Sequence, residues 1–186
     1  MVSVREEETM TDCKFAKTRE IINAFEAYRL KYKLVEKETS EAIVAGFEIE
    51  NGPNVIAYIV VNGEDTPVSF RIFDIVSNIS AQKRGRVLEA CNILNSSMRY
   101  LKYLLVEDGS VQVDYDIPNI SDNFESGQLA AAMFVGMMRV ADAHYAFLMK
   151  ALYTDEPLDA GSLYDARDGD KGASLRPAPQ NSGMMS

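Results

Sequence analysis

The chain has 186 residues, 47% of them hydrophobic, and a formal net charge of −9. That length and apolar content fit one globular domain with extensions and argue against a disordered chain. The acidic charge argues against nucleic acid and anionic membranes as partners, since both need a basic surface.

Residues 1–10 are acidic and aperiodic and read as a loose arm. Asp12 or Thr11 can cap a first helix, along which Phe15, Ile22, Phe25, Tyr28 and Tyr32 recur at helical spacing to residue 33. The segment Leu34–Thr39 can be read as a short strand. Ile43, Ala45, Phe47 and Ile49 then alternate with Val44, Gly46, Glu48 and Glu50, a half-buried strand. Val55–Val61 is apolar on both faces, which marks a central strand or one covered on both sides. Asn62-Gly63-Glu64-Asp65 turns the chain into a third strand, Val68–Val76, with Pro67 at its start.

Leu88 to Pro118 is the most informative stretch. Ser80 can cap a second helix, with Val87, Leu88, Cys91, Leu94 and Met98 on one face. Gly85 weakens its first turns by about 1 kcal/mol relative to alanine. Tyr100–Val106, the turn Glu107-Asp108-Gly109 and Ser110–Ile117 form a hairpin ended by Pro118. In its second strand Val111, Val113, Tyr115 and Ile117 face one way, and Gln112, Asp114 and Asp116 the other.

Ser121 or Asp122 caps a third helix that runs to Tyr153. Its apolar side chains cover an arc of roughly 200° or more, about twice what a one-sided surface helix needs. Phe134, Met138, Tyr145 and Met149 lie on one part of the arc; Met133, Met137, Val140, His144 and Phe147 lie on another. One sheet cannot cover so wide an arc, so the pattern calls for a second surface: another helix, a partner subunit or a bound peptide. Residues 155–186 are rich in Asp, Gly, Ala, Pro and Ser and read as a disordered tail. The domain expected from these patterns spans residues 11–154.

Motifs that carry chemistry are missing. Cys13 and Cys91 form no C-x-x-C pair, and Cys91 reads as a buried thiol. His144 is the single histidine, which excludes a histidine-based metal cluster and reads as a packed residue rather than a general base. There is no nucleophile elbow, P-loop or dinucleotide fingerprint. Asp114 and Asp116 are the best paired carboxylates, but their spacing also describes the wet face of a strand. Asp165, Asp168 and Asp170 fail the calcium-loop register, because Arg167 occupies a ligand position. No catalytic residue, metal or cofactor is assigned. The N-x-S matches at Asn78, Asn95 and Asn119 are read as chance. The start MVSVREEETM has no apolar core for a signal peptide, and no run reaches the ~20 apolar residues of a membrane span. The expected location is cytoplasmic. Methionine adapts its shape and is over-used at promiscuous binding surfaces. Met133, Met137, Met138, Val140, His144 and Phe147 are therefore the candidate protein-binding residues.

The order helix, three strands, helix, hairpin, helix resembles the YbjN family, proposed bacterial sensory-transduction regulators. It is also similar to the fold of type III secretion chaperones. The carrying residues are LEACNILN (Leu88–Asn95), YLLVEDGSV (Tyr103–Val111) and DYDIP (Asp114–Pro118). Element order extends the resemblance over residues 12–153. It implies an α+β domain with an antiparallel sheet packed by helices, a bacterial homodimer that acts by binding protein. The expectation is a non-enzymatic, chaperone-like or regulatory module with an unidentified protein or peptide client. The client would lie in an apolar groove or add a strand to an edge, Val68–Val76 or Ser110–Ile117. The rival is a small-molecule-binding or enzymatic domain using the sheet face with Asp114, Asp116 or His144. A third reading is a structural dimer with no client.

Overall fold

The computed structural model describes residues 3–5, 13–50, 52–118, 126–159 and 161. The elements run β1 (Ser3–Arg5), α1 (Ala16–Ala27), β2 (Lys33–Glu36), β3 (Glu41–Glu48) and β4 (Asn54–Val61). Next come β5 (Val68–Val76), α2 (Arg84–Ser97), β6 (Lys102–Leu105), β7 (Val111–Ile117) and α3 (Ser126–Tyr153). The fold is α+β, as the hydrophobic periods imply. All neighbouring strands are antiparallel, in the order β1-β2-β3-β4-β5-β7-β6.

Alternation along the strands fixes which face is covered. Glu41, Ile43 and Ala45 of β3 are buried, as are Val55, Ala57, Ile59 and Val61 of β4 and Val68, Phe70 and Ile72 of β5. Val111, Val113 and Ile117 of β7 and Tyr103 of β6 complete this inner face. The helices pack there. α3 lies between its two neighbours, with α1 on one flank, α2 on the other and β5 beneath. Phe25 of α1 meets Phe134 of α3 at 5.0 Å between ring centroids. Each such fully buried large apolar side chain contributes about 1.5–3 kcal/mol.

The packing of α3 answers the question raised by its wide apolar arc. α1 and α2 supply the second surface from within the same chain, so the arc does not itself demand a partner. Gly127 permits the close crossing with α1: a Cβ there would sit 2.1 Å from the Glu20 carbonyl oxygen.

Several boundaries differ from the sequence reading. α1 stops at Ala27 rather than near residue 33, because Arg29 takes φ +56° and turns the chain toward β2. Asp12 and Thr11, the expected caps, lie outside the described residues, as do Ser121 and Asp122. Among the described residues, distant carboxylates hold the start of α1. Glu41, fully buried, accepts from the amides of Lys14 (2.7 Å) and Phe15 (3.3 Å), and Glu64 accepts from that of Ala16. Anions are favoured at this end of a helix dipole. α2 begins at Arg84, and Ser80 contributes its carbonyl to the amides of Lys83 and Arg84 rather than a side-chain cap. Leu88, expected on the inner face of α2, is 58% exposed, and Ala90 packs there with Val87, Cys91 and Leu94.

The arm and the tail also carry order. Ser3–Arg5, inside the stretch expected to be loose, pairs with β2. Asp155 pairs with Lys83 (2.9 Å), Glu156 with Lys150 (3.3 Å), and Leu158 rests on the core. The two segments named as candidate sheet edges are both interior. β5 lies between β4 and β7, and β7 between β5 and β6. β4 is central, as its apolar composition implies.

Candidate functional site

Two places concentrate chemistry or exposed apolar surface, on opposite faces of the sheet. The first is a buried joint between α2, β6 and α3. Asn95, in the last turn of α2, donates from Nδ2 to the Tyr103 carbonyl (2.9 Å) and accepts at Oδ1 from the Tyr103 amide (2.7 Å). The side-chain amide thus takes the place of a neighbouring strand. This clamp orients Tyr103 inward, where its hydroxyl lies 3.0 Å from His144 Nδ1. Both residues are almost fully buried. Burial, reinforced by the nearby Cys91, pushes the Tyr103 hydroxyl far above its usual range. It therefore stays protonated, and the direction of its hydrogen bond with Nδ1 follows the His144 tautomer. Burial also pushes the Cys91 thiol up to about 11, against a lowering backbone hydrogen bond. A protonated, buried thiol is inert, so this joint is built to hold elements together.

The second place is the outer face. Its rows are set by the register. Lys33, Val44, Tyr58, Arg71, Asp114 and Lys102 lie side by side across six strands. Val35, Ala42, Val60, Ser69 and Asp116 form the next row. Gly46 and Ile56 begin a third, and the Phe73 ring packs on Tyr58 at 5.4 Å. Ile56 and Phe73 are 49% and 45% exposed. The β2–β5 part of this face is therefore largely apolar, and no described helix lies over it.

Beside it sits an ion cluster. Arg71 Nε is 3.3 Å from Asp114, and an Arg71 terminal nitrogen is 2.9 Å from Asp116. Gln112 Nε2 donates to both Asp114 oxygens, at 3.0 and 3.1 Å. Desolvation raises the Asp114 carboxyl, and the charge of Asp116 adds to this, against Arg71 and Gln112. For Asp116 desolvation also pulls upward, but hydrogen bonds from Arg71 and Ser69 and the Arg71 charge outweigh it, so its carboxyl is lowered.

The sequence-derived candidates divide accordingly. Met137, His144 and Phe147 are buried inside the chain, and Met133, Met138 and Val140 are half-buried on α3. Asp114 and Asp116 share the outer face as their spacing requires, while His144 lies beneath the inner face. The sheet separates them, so these three do not converge. Asp165, Asp168 and Asp170 lie outside the described residues. Among the described residues no group of three or more His, Cys, Asp and Glu side chains could hold a metal ion. Nor is any described helix long and apolar enough to cross a membrane. Sequence reasoning passed over Ile56, Tyr58, Phe73 and Arg71 as site residues. The signal for the first two was present in the two-sided apolar character of Val55–Val61.

Comparison with protein-family models, curated proteins and solved structures finds no match.

Proposed function

We propose that the protein is a non-enzymatic protein-binding module that works as a homodimer joined through the outer face of its sheet. The supporting observation is the apolar patch of Val35, Val44, Ile56, Tyr58, Val60 and Phe73 on a face that no described helix covers. A one-sided antiparallel sheet ordinarily turns polar side chains to water, and large exposed apolar patches mark interaction surfaces. A second copy is the favoured occupant because of charge. The chain carries −9 overall. The outer-facing positions paired in the ladders carry three cations (Lys33, Arg71, Lys102) against three carboxylates (Glu48, Asp114, Asp116), with Asp74 exposed in the irregular part of β5. The face is close to balanced, so two copies can approach there with less repulsion than their other surfaces impose. A chaperone-like or regulatory role in the cytoplasm, with a protein client, extends this reading from the family resemblance.

Sedimentation equilibrium of the wild-type chain and of Ile56→Lys and Phe73→Ser variants tests it. A wild-type dimer that either substitution converts to a folded monomer is the expected result. A wild-type monomer at tens of micromolar, or a dimer indifferent to both changes, would overturn it.

A further inference from the structure

Antiparallel sheets leave two edges whose backbone groups must be paired, covered or exposed. The β6 edge is partly closed. Asn95 occupies both backbone groups of Tyr103, and just beyond the strand Arg84 holds the carbonyls of Val106 (3.0 Å) and Glu107 (3.4 Å). Among the described residues, the β2 edge is held by the three residues of β1, in the register Ser3↔Glu36, Val4↔Val35 and Arg5↔Leu34. So short a strand adds little stability of its own.

The β2 edge also carries a charge feature. Glu36 stands directly opposite Glu41 on the inner face. Like charges directly opposite destabilise a strand pair. The Glu41 carboxylate is committed to the amides of Lys14 and Phe15. Lys14 Nζ is turned to the carbonyls of Lys37 and Glu38. Among the described residues Glu36 forms no ion pair. The residue facing it from β1 is Ser3, which brings no charge.

We propose that the β2 edge is a strand-acceptor site, occupied in the free chain by Ser3–Arg5. Its intended occupant is an extended segment of a partner protein with a basic residue opposite Glu36 and a β-branched apolar residue opposite Val35. The cation pairs with Glu36, and the apolar residue continues the row Val35, Ala42, Val60. β1 acts as a built-in competitor that keeps the edge from pairing indiscriminately. This site meets the outer-face contact between copies at Val35 but does not include Ile56 or Phe73. Ile56→Lys leaves it intact, so failure of either proposal does not decide the other.

The test uses a fluorescent peptide of residues 1–9, MVSVREEET, and its Ser3→Lys form, with the full chain as receptor. Strand alternation turns toward β2 the amide of either Val4 or its neighbours. Val4→Pro and Arg5→Pro chains therefore between them cover both cases for dislodging β1. The proline variant that frees the edge should bind the peptide about tenfold more tightly than the wild-type chain, whose edge is already filled. Ser3→Lys in the peptide should tighten binding about threefold further, and Glu36→Gln in the receiving chain should erase that gain. Circular dichroism matching the wild type establishes that the variants are folded. Peptide that binds neither folded proline variant better than wild type overturns the proposal, as does a Ser3→Lys gain that survives Glu36→Gln. A wild-type dimer lost in the proline variants overturns it in favour of β1 exchange between two copies.

Discussion

Asn95 carries more structural consequence than its half-exposed position suggests, because one side chain satisfies both backbone groups of Tyr103. Asn95→Ala removes both bonds. At about 1 kcal/mol net per bond, with a further penalty for leaving backbone groups poorly satisfied, the loss should be about 2–3 kcal/mol. For a chain of this size that lowers Tm by roughly 5–10 °C. Asn95→Asp is the sharper probe. Its carboxylate still accepts from the Tyr103 amide but faces the Tyr103 carbonyl with a second acceptor, so at neutral pH it should be at least as damaging as alanine. Protonation restores a donor to that carbonyl. The Asp variant should therefore recover relative to Asn95→Ala as pH falls through the range of a partly buried carboxyl. The chain contains no tryptophan, so urea unfolding is best followed by far-ultraviolet circular dichroism at several pH values. Hydrogen exchange at the Tyr103 amide should accelerate in parallel. Variants within about 0.5 kcal/mol of wild type, the scatter of ordinary surface substitutions, would refute the clamp. So would an Asp variant whose deficit ignores pH.

Two glycines of α3 should respond in opposite directions. Gly127→Ala drives a methyl group against backbone, 2.1 Å from the Glu20 carbonyl oxygen. The overpacking cost of about 1–3 kcal/mol or more should exceed the helix-propensity gain of about 1 kcal/mol. Gly136→Ala meets nothing within 4 Å and should stabilise by about 0.5–1 kcal/mol. Urea midpoints that move the same way for both would contradict the packing of α1 on α3. In the ion cluster, carbon-13 titration of the carboxyl groups should place Asp114 above Asp116. Because the Asp116 carboxyl is lowered by folding, its contribution is present above the ordinary carboxyl pKa and lost as pH falls through the folded value. The Asp114 carboxyl is raised, so the native state favours its protonated form, and its contribution is lost as pH rises through the folded value. Asp116→Asn should bring Asp114 down, by removing a like charge. An Asp114 that titrates below Asp116 would show that Arg71 outweighs desolvation there.

The elements most legible in sequence were those whose hydrophobic period is long and unbroken. β3, β4, β5 and β7 declare themselves through alternation, and α3 through a run of helical spacing from Leu129 to Leu152. The turn at Glu107-Asp108-Gly109 is equally legible, because Gly109 takes φ +83° as an αL turn position demands. Strand neighbours were not legible. Alternation states which face a side chain takes but not which strand lies beside it. Hence β7, read as a possible edge, inserts between β5 and β6. β1 has three residues and no pattern to announce it. The caps of α1 come from Glu41 and Glu64, 26 and 48 residues away from the amides of Phe15 and Ala16, so no local motif can encode them. The Asn95 clamp is of the same kind: the asparagine stands out in the LEACNILN segment, but its purpose depends on Tyr103 arriving from beyond the next turn.

The location of the candidate site shifted for a physical reason that bears on function. α3 has a wider apolar arc than one contact can use, and read alone it invites a partner. In the fold that demand is met internally, since α1 and α2 flank the helix and Met137, His144 and Phe147 are spent on the core. What the described helices leave uncovered is the other side of the sheet. With α1, α2 and α3 all drawn to the inner face, Val44, Ile56, Tyr58, Val60 and Phe73 have no described helix to pack against. Polar residues at these positions would have solvated the face at little cost to the inner core, because the alternation of a strand separates the two faces. Apolar residues there, beside the Arg71–Asp114–Asp116 ion cluster, are the observation behind the protein contact proposed for this face.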